Sequence, residues 1–272
     1  MMSWLNRKKE HLVTVSPSSA SNKMRYHVAN LQGLGARAQQ EDSFTLMNAL
    51  DETMYDAYGL MFAVCDGMGG MKDGKLASGT AINSIRNSFA SIDTTSPIVP
   101  QLDSFIQKAS DDVYNVIGGN GGTTVVLGYI LHEQLYFISV GDSYLFLVRN
   151  GKLIRINELH TLLRDYYLED MRIGDISPEL CRNETESNTL SSFLGMSDLI
   201  ITDKFLKPLQ LKKNDILIAC SDGVGAVLSY DDMLDALNTP SVTKMCENIE
   251  ECIKSNSLQS QDNYTALIIK CF

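Results

Sequence analysis

The chain has 272 residues, 44% hydrophobic and 21% charged, a soluble composition long enough for one large core or two small ones. Its net charge of −10 argues against a nucleic-acid binder, which would present a basic face. The longest apolar run, about Thr123 to Leu131, falls far short of the ~20 residues a membrane span needs, and six cysteines without a C-x-x-C pair point to a reducing cytoplasm.

In chain order, residues 1–23 are polar and patternless and carry no apolar core of signal-peptide length, so they are expected to be a flexible lead-in to a single domain over 24–272. Strands are predicted near Tyr26–Leu31 and Phe44–Met47, with a Gly33/Gly35 turn and an Arg37–Asp42 loop between them. Leu60–Cys65 is a short unbroken apolar run that stops at Asp66-Gly67, the pattern of a buried strand feeding a loop. Two amphipathic helices follow, one through Ile82, Ile85, Phe89 and Ile92 and one from Leu102 to Ile117, separated by a proline-bearing loop at 94–100. The period then changes to that of strands, with Asn150-Gly151 marking a two-residue hairpin turn. Residues 157–197 interrupt the strands with a helix at 159–172 and a polar stretch. Strands return at Leu199–Phe205 and Asp215–Cys220, then two helices near 230–237 and 241–254, and a last strand at Tyr264–Cys271. Strands grouped with strands and helices with helices indicate an α+β layered domain.

Acidic residues sit where these strands stop: Glu41-Asp42 in QQEDSF, Asp66 in VCDGMGG, Asp142 in VGDSY, Asp222 in CSDGV and Asp262 in QDNYT. Carboxylates converging on one spot repel one another unless a cation lies between them, and oxygen-only ligation suits magnesium or manganese. Taken singly, Asp-Gly and Gly-Asp are turn dipeptides, and Asp73-Gly74 is read as a turn; Arg37 alone would be a solvated surface residue. The four histidines have no metal-like spacing and are assigned structural or solvent roles.

Taken together and in this order, the motifs resemble the metal-dependent protein phosphatases, the type 2C serine/threonine phosphatases, over residues 24–272. The resemblance implies a four-layer α-β-β-α sandwich: two antiparallel sheets flanked by helices, with a two-metal site at one end. It implies Mn2+ or Mg2+ ligation by Glu41, Asp42, Asp66, the Gly67 carbonyl, Asp222 and Asp262, with Asp66 bridging two ions, and a third, weaker ion at Asp142 as in bacterial relatives. Arg37, four residues before Glu41, takes the position of the family's phosphate-binding arginine, and the segment near 157–197 resembles the flap of bacterial members. The implied reaction is hydrolysis of phosphoserine and phosphothreonine by attack of a metal-bridging water, with Arg37, Asp66 and Asp222 the catalytic set. The implied partners are phosphorylated proteins, among them a cytoplasmic Ser/Thr kinase and its substrates, and the chain is expected to be a monomer.

Several positions depart from the family pattern. Met68 replaces the histidine proposed as general acid in eukaryotic members, Tyr144 replaces an arginine after GDS, Lys75 a glutamate, Leu159 an acidic residue and Ser192 a flap arginine. Two rivals stand beside the phosphatase: a pseudophosphatase or regulatory binding module of the same fold, and a phosphatase of a sigma-factor-cascade partner or of a small phosphate ester.

Overall fold

The computed structural model describes residues 23–69, 73–174, 189–199, 201–256 and 260–272. Two antiparallel sheets stack face to face. One runs β1 (Tyr26–Gly33), β13 (Tyr264–Cys271), β12 (Ile216–Cys220), β8 (Tyr144–Arg149), β9 (Lys152–Arg155). The other runs β10 (Asp203–Lys204), β7 (Gln134–Val140), β6 (Val125–Leu131), β3 (Leu60–Cys65), β2 (Ser43–Met47), with β11 (Leu209–Gln210) also on β7. A separate two-stranded pair joins β4 (Gly67–Met68) to β5 (Gly122–Thr123).

The apolar text of the central strands follows from burial on both faces. In β3, Leu60, Phe62 and Val64 point into the space between the sheets, while Met61, Ala63 and Cys65 face the helix layer. That outer layer is α2 (Asp73–Phe89) and α3 (Ile98–Ile117), whose Ile85, Phe89, Leu102, Ile106 and Val113 complete its core. On the other sheet, Leu217 and Ala219 of β12 face inward and Ile216, Ile218 and Cys220 face α5 (Tyr230–Leu237) and α6 (Val242–Asn256). The expected four-layer sandwich is thus the observed one. Asn150 and Gly151 both have positive φ (53° and 71°), as the predicted two-residue turn requires.

Some boundaries differ from expectation. The strand predicted over Leu199–Phe205 is reduced to Asp203–Lys204, because it lies on the outer edge of its sheet and Asp203 turns its carboxylate to the Glu158 amide (2.7 Å). Asp73-Gly74 is not a turn but the first turn of α2. The loop expected at 94–100 ends early: α3 starts at Ile98, with Pro97 as N-cap and Pro100 in the first turn, where a missing N–H breaks no helical bond. A helix not anticipated, α1 (Glu52–Tyr58), is capped by Asp51, which accepts from the Thr53 and Met54 amides. The flap helix, α4 (Leu162–Ile173), starts at its N-cap Thr161. The lead-in expected at 1–23 falls, except for Lys23, outside the described residues, as do residues 175–188 of the flap.

One ion pair stitches the far end of the first sheet. Asp215, almost fully buried, accepts from Arg149 Nε (2.9 Å), Arg149 Nη2 (2.6 Å) and the Lys212 amide (2.7 Å). Removing one partner of such a pair strands the other charge, so Asp215→Ala is expected to destabilise the fold by about 3 kcal/mol. A urea melt with an unchanged denaturant slope and a lower midpoint would show it, and an unshifted midpoint would contradict it.

Candidate metal centre and substrate pocket

Antiparallel pairing alone brings the acidic residues to one end of the sandwich. Ser43 pairs with Cys65, so Glu41-Asp42, just before β2, meets Asp66, just after β3. Cys220 pairs with Ala266, so Asp222 after β12 meets Asp262 before β13. Tyr144 pairs with Cys220, which puts Asp142 of the β7–β8 turn at the same end. Gly33 pairs with Tyr264, so the loop leaving β1 carries Arg37 there too.

Side chains then lock the two sheets together at this end. Ser221 Oγ donates to Asp42 Oδ2 (2.9 Å) and accepts from the Thr265 amide (3.0 Å). Asn263 Oδ1 accepts from the Glu41 amide (2.8 Å), and its Nδ2 donates to the Leu34 carbonyl (3.0 Å). The Asp66 amide donates to Thr124 Oγ1 (3.0 Å). Glycine is required where β4 crosses the start of α2: a Cβ on Gly67 would lie 2.1 Å from the Gly74 carbonyl oxygen. This close approach sets Gly67 beside Glu41.

Glu41, Asp66, Asp142, Asp222 and Asp262 line one cavity of about 510 Å³, with Gly67 and Arg37. Asp42 does not line it; it is fully buried behind that wall. Arg37 is more than half exposed, and its Nη2 donates to Asp262 Oδ2 (2.6 Å). Four of the five departures from the family pattern are seen here: Met68 lines the cavity, Lys75 Nζ reaches the Asp42 carbonyl (3.4 Å), Tyr144 packs on Gly225, and buried Ser192 donates to the Ile201 carbonyl (2.8 Å).

The electrostatics are those of crowded carboxylates in a poorly solvated place. Burial pushes Asp42 up to about 6, against hydrogen bonds from Thr265 and Ser221 and with the charges of Asp222 and Asp262 adding to it. Burial and the Asp222 charge raise Asp142 to about 7. Asp66 is driven well above the usual carboxylate range by burial and by Asp42, Asp222 and Asp142; Asp222 and Glu41 rise for the same first reason.

The donor set fits hard divalent cations. Glu41 Oε1, Asp42 Oδ1 and Asp222 Oδ1 are shielded from solvent and have no hydrogen-bond partner, and buried carboxylate oxygens left so are expensive unless a cation takes them. Among the described residues no three His, Cys, Asp or Glu side chains form a ready-made ligand cluster. The carboxylates are instead spread round the cavity wall, as suits magnesium-like ions that keep several waters and take one or two carboxylates each.

Of the seven residues the family resemblance implied as metal ligands, the structure brings six to the cavity wall and sets Asp42 behind it; the supports of that wall were missed. Ser221 and Asn263 stood inside quoted motifs without a role, and Thr124 was read only as strand text. Leu190 and Phe193, which also line the cavity, stood inside the flap-like segment without a role of their own. His160 is structural, as expected: it is buried, its Nδ1 accepts from the Gly141 amide (3.1 Å), and desolvation lowers its pKa to about 4.

Comparison with known proteins agrees with this geometry. The family profile described as protein phosphatase 2C matches residues 26–173. "Serine/threonine phosphatase stp" of Listeria welshimeri is 30% identical over 218 residues, covering 76% of this chain and 82% of the relative. The crystal structure of the PPM Ser-Thr phosphatase MsPP from Mycobacterium smegmatis superposes with a TM-score of 0.70 at 24% identity, over 89% of this chain and 97% of that one. The catalytic domain of the phosphatase PstP, solved in complex with two manganese ions, superposes with a TM-score of 0.71 at 21% identity, over 92% and 99% of the two chains. With a profile covering more than half its length and a relative 30% identical over 76% of the chain, the chain belongs to the protein phosphatase 2C family, the metal-dependent serine/threonine phosphatases.

Proposed function

We propose that this pocket hydrolyses phosphoserine and phosphothreonine in phosphoproteins, with Asp66, Asp222, Asp262, Glu41, Asp42 and the Gly67 carbonyl holding two Mn2+ or Mg2+ ions. The observation that carries the assignment is the set of solvent-shielded, unpartnered carboxylate oxygens at Glu41 and Asp222, on the wall of a cavity that also holds Arg37, and at Asp42 directly behind that wall. When bound, such ions supply positive charge against a phosphate dianion and a water activated for in-line attack.

The chain's own residues do the rest. Arg37 presents a planar, permanently charged fork suited to clamping two phosphate oxygens. Asp66 and Asp222 keep their carboxylates turned into the cavity, held by Thr124 at the Asp66 amide and by the Ser221 link to Asp42. Met68 lines the cavity but has no proton to give, and no histidine or cysteine does so among the described residues. Asp142 supports a third, weaker ion in this reading.

The same reading places the protein opposite a Ser/Thr kinase in a cytoplasm, acting as a monomer. Five free cysteines among the described residues support that location. The full acid set with Arg37 counts against a pure binding module. Turnover of a phosphothreonine peptide across manganese concentrations, with and without chelator, tests the proposal; no manganese-dependent turnover would overturn it. Arg37→Ala is expected to lower kcat/KM for that peptide by roughly a hundredfold, the size seen when one transition-state donor is removed. A loss under threefold would take Arg37 out of the site.

A further inference from the structure

We infer that Leu190 and Phe193 form an apolar side wall of the substrate pocket that seats an apolar side chain next to the phosphorylated residue. The inference rests on the phosphatase reading and names which phosphoproteins suit it.

The two residues share the cavity with the carboxylates. They belong to a short return of the flap, and that return is pinned at both ends. Thr161 bridges Leu190, with the Leu162 amide donating to the Thr189 carbonyl (2.9 Å) and the Ser191 amide to the His160 carbonyl (3.0 Å). Further along, Thr123 bridges Leu194 through bonds of 3.1 and 2.9 Å, and the Gly195 amide donates to Ser110 Oγ (3.1 Å).

Leu194 is fully buried in the α2–α3 core, so alternation along this extended stretch turns its neighbour Phe193 the other way, into the cavity. The Phe193 ring lies over Gly122: a Cβ there would fall 2.3 Å from the ring. Phe193 nevertheless keeps partial exposure, as does Leu190. Two apolar groups held rigidly at the edge of an acidic cavity are a ready surface for apolar contact. Among the described residues the wall offers no free cation to an acidic neighbour: Ser192 turns away to Ile201, and Arg37, which lines the cavity, is engaged with Asp262.

The test is a set of phosphothreonine peptides that differ only in the residues immediately before and after the phosphothreonine, carrying Leu, Glu or Lys there, assayed with manganese. The native enzyme is expected to favour Leu over Glu and over Lys by about tenfold in kcat/KM at one of the two positions, mainly through KM. Phe193→Ala should bring that ratio within twofold. Leu190→Ser, which leaves the Gly122 contact intact, should also reduce it, and it serves if Phe193→Ala fails to fold. Native selectivity for Glu or Lys, no selectivity at either position, or a Leu preference that survives both substitutions would overturn the inference. Hydrolysis of p-nitrophenyl phosphate by the native enzyme, which has no flanking residue, reports the phosphatase reading separately.

Discussion

An Asp66→Asn variant is expected to lose phosphopeptide turnover by roughly a thousandfold or more, about 4 kcal/mol of transition-state stabilisation, while remaining folded. The reason lies in its position among the other acids. Asp66 directly follows β3, faces the cavity, and is close enough to Asp42, Asp142 and Asp222 for all three charges to raise its pKa. In the proposed centre it would help hold the ions, and an amide offers one neutral oxygen where the carboxylate offers two that share a negative charge. The backbone of this residue is tied independently, its amide to Thr124 Oγ1 and its carbonyl to Thr123 Oγ1 (2.8 Å) and the Thr124 amide (2.9 Å). Asparagine therefore keeps the local structure.

The same substitution has an opposite effect on stability. In chelator, a carboxylate crowded by like charges in a poorly solvated site opposes folding, and its neutral isostere removes that repulsion. Asp66→Asn is expected to be more stable than the native chain in chelator, by about 1 kcal/mol, read from urea melts. Near-native turnover would sink the assignment of Asp66, and a less stable chelated variant would sink the account of repulsion.

The second large effect concerns the metal itself. Removing divalent cations from the native protein is expected to abolish turnover, and restoring manganese to a hundred times its dissociation constant should raise stability by about 2.7 kcal/mol per site. For a chain of this size that corresponds to a rise in Tm of roughly 5–10 °C. The physical basis is the unpartnered oxygens of Glu41, Asp42 and Asp222: a cation gives each a partner that no protein donor supplies. The increment should vanish in Asp66→Asn and shrink in Asp222→Asn. A native Tm that does not respond to manganese would contradict the metal centre whatever the activity data showed.

The strand-end acids were legible because antiparallel pairing is a short step from the pattern. Once Ser43 pairs with Cys65 and Cys220 with Ala266, the motifs beside them have to meet. Element type was legible wherever period and burial agree, as in β3 and α3. It failed where they do not. Helix α1 has no fully buried residue, only Tyr55 packed at the edge of the core, so it left no apolar stripe, and its cap Asp51 was the one local cue. The turn between β6 and β7 takes positive φ at His132 and Glu133 (47° and 66°), residues that give no turn signal. Leu199–Phe205 reads as a strand, but edge position left two residues of it paired.

By itself the chain marked which acids stand at strand ends, in what order, and that the strands between them are buried, because side-chain period and strand-end acidity are local properties. It did not determine that Asp42 sits behind the cavity wall while Glu41 faces it, that Ser221 and Asn263 tie one sheet to the other, or that Leu190 and Phe193 stand beside the acids. Those facts depend on how two sheets stack and where the flap returns. They involve contacts between residues as many as 222 positions apart, which no local pattern encodes.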